Sequence, residues 1–539
     1  MSGSISLENR FGVNKMELIS LKYAIFVIVL LVLYYCFPKK YRWYVLLAGS
    51  MAYYVIICKW YVLFIIFTIC TTYGSTIWID KLLKKQNAIV KSHKEDWDRQ
   101  TRKEYKEKGR KKRVAVMLFA LLCNFGILAF LKYIPYAGEL GLLLPLGISF
   151  YTFQSMGYVM DVYREIVEPE KNFFKVALFV SFFPQIIQGP IAIYDKLAGQ
   201  LYEGHSLRLE NLQKGALLVL WGVMKKLVIA DRAVNIINFV MDKPKDFSGT
   251  YVFFAAVVYA LQLYADFSGG IDIVRGIAEM FGITMSTNFN HPYFSRSLTE
   301  YWHRWHMTLG DWCRNYIFYP LSISKRFLNF GKWLKPRFGA HISKVLPGCI
   351  ASVITFIVIG VWHGANMKYL YFGLWNGIVI MLAELFAPVN KKVSGGFFKL
   401  TGLREKGIFA TIVSVLWTFI LILVGYYFDI AANASTAFHM LFKSVTDFHI
   451  SELGINNIIL NLGACGLDEY DILLLIICTL LWFFISFVEE NKKLDMRDFI
   501  LSRKLPLRWA IIYLGIFIVI IFGYYGPGVN PADFVYMQF

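Results

Sequence analysis

The sequence predicts an all-α polytopic integral membrane protein, and three observations carry that reading. Of 539 residues, 57% are hydrophobic and 17% charged, a balance that water-soluble globules do not show. The apolar residues gather in runs near the length that crosses a bilayer. Lys and Arg, which leave a net charge of +19, cluster between those runs. The 46 Phe, 33 Tyr and 14 Trp suit interfacial belts and apolar tunnels inside a helical bundle. A secreted enzyme, a nucleic-acid binder and a disordered scaffold all fit poorly, because cations placed this way report topology rather than RNA.

A helix needs about 20 mostly apolar residues to cross roughly 30 Å of hydrocarbon. Along the chain, runs bounded by charge fall at residues 23 to 38, 43 to 58, 60 to 79, 114 to 132, 139 to 160, 173 to 193, 213 to 230, 249 to 267, 347 to 362, 369 to 388, 408 to 430, 471 to 488 and 509 to 525. The first twenty residues lack the charge pattern and cleavage site of a signal peptide, so the first long run reads as a retained helix. Pro145 with Gly147, and Pro184, Gly189 and Pro190, interrupt two of the runs. Broken helices survive in a bilayer only where protein or a water-filled cavity covers the freed backbone groups.

Charge sets the orientation. Residues 81 to 113 (KLLKKQNAIVKSHKEDWDRQTRKEYKEKGRKKR) hold about fourteen Lys and Arg and read as a cytoplasmic loop. Lys325, Arg326, Lys332, Lys335, Arg337 and Lys344 place residues 321 to 346 on the same side, as Lys391, Lys392, Lys399, Arg404 and Lys406 do for the next basic loop. The segment 431 to 470 sets Asp447, Glu452, Asp468 and Glu469 against Lys443 and faces outward. The basic stretch from Lys492 to Arg508 is then inside, and the last helix delivers the C-terminus outside.

Three parts follow: residues 1 to 113 as N-terminal membrane helices with a basic cytoplasmic loop, 114 to 430 as the core, and 431 to 539 as an acidic outer segment, two last membrane helices and an outer tail. No stretch outside the membrane is long enough to bury its own core, so any chemistry takes place inside the bundle. The absence of an inverted duplication weakens a transporter reading. Cys36, Cys58, Cys70, Cys123, Cys313, Cys349, Cys465 and Cys478 lie scattered, with no CxxC, so neither a zinc site nor a disulfide framework is expected.

Charges and histidines at membrane depth cost several kcal/mol unless paired or hydrated, which makes them functional candidates. Three clusters stand out. LYADFSGGIDIVRG carries Asp266, Ser268, Asp272 and Arg275 at the end of an apolar helix. NFNHPYFSRSLTEYWHRWHMTLGDWCRNYIFYPL, from Asn288 to Leu321, is dense in aromatics and cations. IGVWHGANMKYLYFGLWNG places His363 between Trp362 and Gly364 where two apolar runs meet.

Each cluster also has a plain structural reading. Asp266 and Asp272 suit pairing with Arg275 to fix a helix junction. His303 and His306, three apart, would share a helix face and could begin a metal site, but no acidic or Cys ligand stands at an obvious third position. A buried, hydrogen-bonded ring is the default for His363. Its setting argues for more, since Gly364 admits a close approach of chain or ligand.

In this order and spacing the clusters resemble the membrane-bound O-acyltransferase (MBOAT) family, especially its bacterial branch with the membrane subunits of alginate and peptidoglycan O-acetyltransferases. The likeness runs from LPLGISFYTFQSMGYVMDVYR (Leu144 to Arg164) through FFPQIIQGPI (Phe182 to Ile191) and QLYADFSGGIDI to EYWHRWHMTLGDWCRNYIFYPL and GVWHGANMKYLYFGLWNG. That is most of the chain from about residue 110 onward, and the combination is specific where any one piece is weak. The resemblance implies a ring of about 11 to 13 tilted and re-entrant helices in which a cytoplasmic and an outer funnel meet at a thin centre. It implies that His363 is the catalytic histidine and His306, in RWHMTL, the second motif histidine. His303 falls where relatives often carry Arg or Asp and receives no role. Trp305, Trp362, Asn366, Asp266 and Arg304 stand in the same clusters as candidate substrate-binding residues.

The implied activity is that of a bacterial plasma-membrane acyltransferase. It would carry an acetyl group from cytoplasmic acetyl-CoA, which is too polar to cross lipid, toward hydroxyls of an extracytoplasmic polysaccharide. A neutral imidazole can accept the hydroxyl proton, which makes His363 the general base, a contribution typically of about 10² to 10⁴-fold. His306 would orient the donor or stabilise the oxyanion. Lys325, Arg326 and Lys332 would attract the CoA phosphates. The implied partners are acyl-CoA, membrane lipids, the polysaccharide acceptor and an extracytoplasmic, SGNH-like acetyltransferase; no metal and no nucleic acid is expected. The chain ends DFVYMQF, so Tyr536 is a candidate acyl relay on the outer side, against the plainer reading of an interfacial anchor. Two rivals stay open: D-alanyl transfer from a carrier protein to teichoic acid, and a non-enzymatic polysaccharide or lipid transporter.

Overall fold

The computed structural model describes residues 16–401, 404, 407–454, 457, 465–526 and 534, and every regular element among them is a helix. Seven helices are long and apolar enough to cross a membrane. The number is eight if the pair Met367–Leu385 and Ala387–Gly396, bent by 66°, counts as one span. The protein is a multi-pass membrane protein. A helix satisfies its own backbone donors and acceptors, which is what hydrocarbon demands. The Leu505–Phe522 helix takes this furthest, because none of its residues is buried by protein.

The thirteen apolar runs correspond to fewer long helices for local reasons. Lys39–Ser92, which contains the helices Arg42–Cys58 and Val62–Ser92, is one 54-residue apolar segment, more than twice the length a span needs, and is divided at Lys59 (φ 50°). The 139 to 160 run begins in coil. Its regular part, Ile148–Tyr163, starts after Gly147, whose left-handed backbone (φ 69°) lies where a Cβ would collide with the Ile186 carbonyl. The 173 to 193 run divides at Phe182 into Phe173–Ser181 and Phe183–Gln188, with Pro184 opening the second piece.

Two segments read as basic loops are helical instead. Residues 81 to 92 and 99 to 113 belong to the helices Val62–Ser92 and Arg99–Tyr133, which at 1.5 Å per residue are about 46 and 52 Å long, well beyond the hydrocarbon thickness. Asp98 caps the second helix by accepting from Thr101 N at 2.9 Å. Opposite charges one turn apart, Lys84 with Asp80 and Arg110 with Glu107, stabilise surfaces that are polar all round. Buried Arg113 donates to Gln86 Oε1 at 2.8 Å and ties the two helices together. The 321 to 346 segment likewise lies in the Lys325–His363 helix, where Gly339 (φ 81°, ψ 177°) makes a non-helical break. Next, Ala387–Thr401 is helical over much of the third basic segment.

The chain packs as two compact units. One comprises Leu220–Gly270 and Thr287–Phe539; the other comprises Ile5–Val219 and Ile271–Ser286. The second unit is cored by fully buried aromatics such as Tyr54, Tyr151 and Phe179. Within it, the Arg275–Asp272 pair spans 3.5 Å, and Gly215 and Gly276 let two backbones approach too closely for any side chain.

The first unit holds both candidate histidines. Its Lys325–His363 and Met367–Leu385 helices form a tight hairpin, because Gly360 and Gly373 lie where a Cβ would meet the backbone of Tyr369 and Phe356. The three-residue turn Gly364 to Asn366 leaves His363 at the end of the first helix.

Candidate functional site

His306 does not share a helix face with His303. The Leu298–Arg304 helix ends at Trp305, which is extended (φ −103°, ψ 129°), and His306 takes a left-handed conformation (φ 43°, ψ 52°) before Met307–Cys313 begins. A non-glycine residue held there is strained and persists because its surroundings fix it. Asn288 does the fixing. Its backbone carbonyl accepts from Met307 N at 2.9 Å, and its side-chain Oδ1 accepts from Thr308 N at 3.1 Å and Thr308 Oγ1 at 2.9 Å. Meanwhile His303 is exposed. No group of three or more His, Cys, Asp or Glu placed to hold a metal occurs among the described residues.

The same oxygen settles the tautomer of His306. Thr308 N–H can only donate, so the Asn288 atom facing it is oxygen, and His306 Nδ1, 3.1 Å from that oxygen, must carry the proton. Nε2 then presents a lone pair. The ring is 2% exposed and packs edge-on against Phe267 at 4.9 Å. A charge in that apolar enclosure would be costly, which favours the neutral ring. A neutral ring protonated on Nδ1 does not donate to an oxyanion from Nε2.

His363 stacks on Tyr369, with ring centroids 5.9 Å apart, and meets Trp362 at 4.9 Å. Gly364 is extended (φ 170°), so its backbone needs no glycine. What needs it is Tyr369, whose ring occupies the place of a Cβ at 2.5 Å. The close approach expected at this glycine is made by the protein's own ring. Trp362 is also 6.2 Å from His306, and so touches both histidines.

A small cavity opens beside His363, lined also by Trp305, Tyr301, Trp302, Tyr426 and Asp429. The space open to the centre of a water molecule is about 20 Å³, enough for one water. Its polar wall is ordered by proton counting. Tyr293 donates its single proton to the Ala260 carbonyl at 2.6 Å, so Tyr426 must donate to Tyr293 (3.1 Å) and Tyr301 to Tyr426 (2.7 Å). Tyr259 donates to Asp429 Oδ2 at 2.7 Å, and Trp302 Nε1 to Asn376 Oδ1 at 3.0 Å. With these protons committed, the wall offers hydrogen-bond acceptors, which suits a hydroxyl group entering as donor.

Of the candidate substrate-binding residues, Trp305 lines the cavity and Trp362 supports the two histidines. The other three lie elsewhere. Asn366 caps the Met367–Leu385 helix by accepting from Lys368 N at 3.1 Å. Arg304 bridges Glu300 at 2.7 Å and Glu490 at 3.0 Å. Asp266, fully buried, pairs with Lys226 at 2.7 Å rather than with Arg275; Lys226 also holds Asp231 at 2.8 Å. Lys226 and its neighbour Lys225 stand in a buried π-helical turn, Lys225–Ala230, the rare geometry that turns consecutive side chains to separate partners. Lys325, Arg326 and Lys332 are exposed. Tyr536 lies outside the described residues.

Sequence reasoning missed Tyr301, Tyr426, Asn376 and Asp429. Asp429 had a signal, being an acid inside an apolar run. The tyrosines had none, because their hydroxyls meet only through folding.

Comparison with known proteins adds a family. Residues 169–335, which contain His306 but not His363, match the profile of MBOAT, membrane-bound O-acyltransferase family. The chain is 30% identical over 313 residues to "Probable alginate O-acetylase AlgI" of Pseudomonas syringae pv. tomato, covering 58% of this chain and 54% of that one. It is 29% identical over 314 residues to "Peptidoglycan O-acetyltransferase" of Helicobacter pylori, covering 51% and 56%. With "Teichoic acid D-alanyltransferase" of Bacillus subtilis the identity is 26% over 288 residues, covering 52% and 67%. The match thus spans little more than half the length of the alginate and peptidoglycan relatives.

Proposed function

We propose that this chain, whose residues 169–335 carry the domain of the membrane-bound O-acyltransferase family, is an acyltransferase that moves an acetyl group from cytoplasmic acetyl-CoA toward hydroxyls of an extracytoplasmic polysaccharide. The observation that carries the reading is His363, which borders a water-sized, largely apolar cavity whose few polar groups, Tyr301, Tyr426, Asn376 and Asp429, include hydrogen-bond acceptors. Such a wall suits the donor side of an alcohol O–H, and the imidazole, whose basicity lies near working pH, is the group in it suited to take that proton and give it back.

In this mechanism the acceptor oxygen attacks the thioester carbonyl while His363 removes its proton. The C–O bond forms, the C–S bond breaks, and the imidazolium returns the proton to the leaving thiolate, giving an ester and a free thiol. His306, neutral and oriented by Asn288, keeps Trp362 and the neighbouring turn in place. The cavity holds one water, so a thioester carbonyl enters only when a lining ring such as Trp305 swings aside. Exposed Lys325, Arg326 and Lys332 suit the CoA phosphates. Delivery to polymer would be completed by an extracytoplasmic, SGNH-like acetyltransferase, with Tyr536 as relay. The likeness to a teichoic acid D-alanyltransferase supports a second reading, D-alanyl transfer from a carrier protein.

The test uses the full chain in lipid nanodiscs, incubated with labelled acetyl-CoA and a panel of polysaccharides, beside a parallel arm with D-alanyl carrier protein. Label transferred by the wild type and lost in His363→Ala at normal protein level supports the proposal. Transfer that survives His363→Ala overturns it, and label moving in the carrier arm alone establishes the second reading.

A further inference from the structure

We propose that Asp429 is the counter-charge of the reacting imidazole, a positioning residue that stabilises His363 while it carries the acceptor's proton. The proposal rests on the reading of His363 as the base. Among the described residues lining the cavity, Asp429 is the one acid. It stands one residue before the end of the Ile408–Ile430 helix, where the partial negative charge of the helix terminus disfavours a carboxylate. Helix stability therefore does not account for it.

Its neighbours hold it in place. Tyr259, from the Gly249–Met280 helix, donates to Oδ2 at 2.7 Å. Lys368 directs its ammonium to the backbone carbonyls of Asp429 and Ala431, both at 2.7 Å, so its hydrogen bonds satisfy the helix end. Tyr369 stacks on His363, and His363 and Asp429 border the same small cavity. The remaining titratable groups in this wall, Tyr301 and Tyr426, are neutral phenols with their protons committed.

The step balances without Asp429 changing its own protonation. As the acceptor O–H bond breaks and the C–O bond forms, the proton passes to His363 and positive charge appears beside the carboxylate. As the C–S bond breaks, the proton moves on to the thiolate sulfur and that charge disappears. Asp429 therefore acts on a state that exists only during turnover, and its removal should lower kcat rather than raise KM.

The experiment measures acyl transfer by the full chain in nanodiscs at varied donor concentration for the wild type, Asp429→Asn, Asp429→Glu and Tyr259→Phe, with thermal unfolding of each. The expected result is a fall in kcat of about tenfold or more for Asp429→Asn at unchanged KM, the factor that corresponds to one pKa unit of interaction with the charged imidazole. Glu should restore most of the rate. Should Asp429→Asn not fold, Tyr259→Phe decides, because it frees the carboxylate without removing its charge and should lower kcat severalfold. A kcat within twofold of wild type in the folded variant, or a loss confined to KM, overturns the proposal. Activity retained by His363→Ala would instead overturn the reading of the base, independently of Asp429.

Discussion

His306 Nδ1 and Asn288 Oδ1 lie 3.1 Å apart, and the same oxygen takes both donors of Thr308, so one amide sets the tautomer of the histidine and the strained turn that presents it. Asn288→Ala would leave a buried N–H, a hydroxyl and an imidazole N–H unsatisfied, at a cost of about 1–3 kcal/mol for each donor. The expected outcome is a marked fall in thermal stability together with loss of transfer, read by a melting curve and an activity assay. Asn288→Asp keeps every acceptor and so melts higher than the Ala variant. It also places an anion beside the His306 Nδ1–H, which strengthens that hydrogen bond.

Lys226 joins Asp231 at 2.8 Å and Asp266 at 2.7 Å, with all three side chains buried. Removing one member of such a group costs about 3–5 kcal/mol, because the charges left behind have no water. Lys226→Met should unfold at a clearly lower temperature. Adding Asp231→Asn and Asp266→Asn to it should recover much of the loss, measured by thermal unfolding in one detergent.

Gly364→Ala inserts a methyl 2.5 Å from the Tyr369 ring and should push that ring off His363. Displacement of about 1 Å at a reacting group can cost about 10²-fold in rate. Transfer should therefore fall far more than stability. Combining Gly364→Ala with Tyr369→Ala, which removes the clash, should not lower stability further than Tyr369→Ala alone.

His303 is exposed, in the Leu298–Arg304 helix that ends before the His306 turn. His303→Ala should keep transfer within about twofold, the size expected of an exposed substitution remote from a site. Addition of a strong chelator should leave the rate unchanged. A chelator-sensitive rate restored by zinc would refute the assignment of acyl transfer to a metal-free site.

Much of the fold is legible in the chain because hydrocarbon permits so few structures. The run at 408 to 430 coincides with a helix, and those at 43 to 58 and 471 to 488 differ from one by a residue or a turn at either end. The basic stretches misled, because charge reports the side of the membrane and not whether the backbone is helical. Polar helices paired as at Arg113 and Gln86 look like loops when only hydropathy is read.

The site divides in the same way. By itself the sequence determined the class of protein and singled out the two histidines as candidates, since lipid makes every intramembrane polar residue expensive and so conspicuous. Only the tertiary structure decided who meets whom: Asn288 with His306, Lys226 with Asp266, Tyr259 with Asp429, and three phenols in a row. Those partners are 18 to 170 residues apart along the chain, and hydrogen bonds act over about 3 Å. Spacing in sequence carries no record of such a meeting; packing creates it.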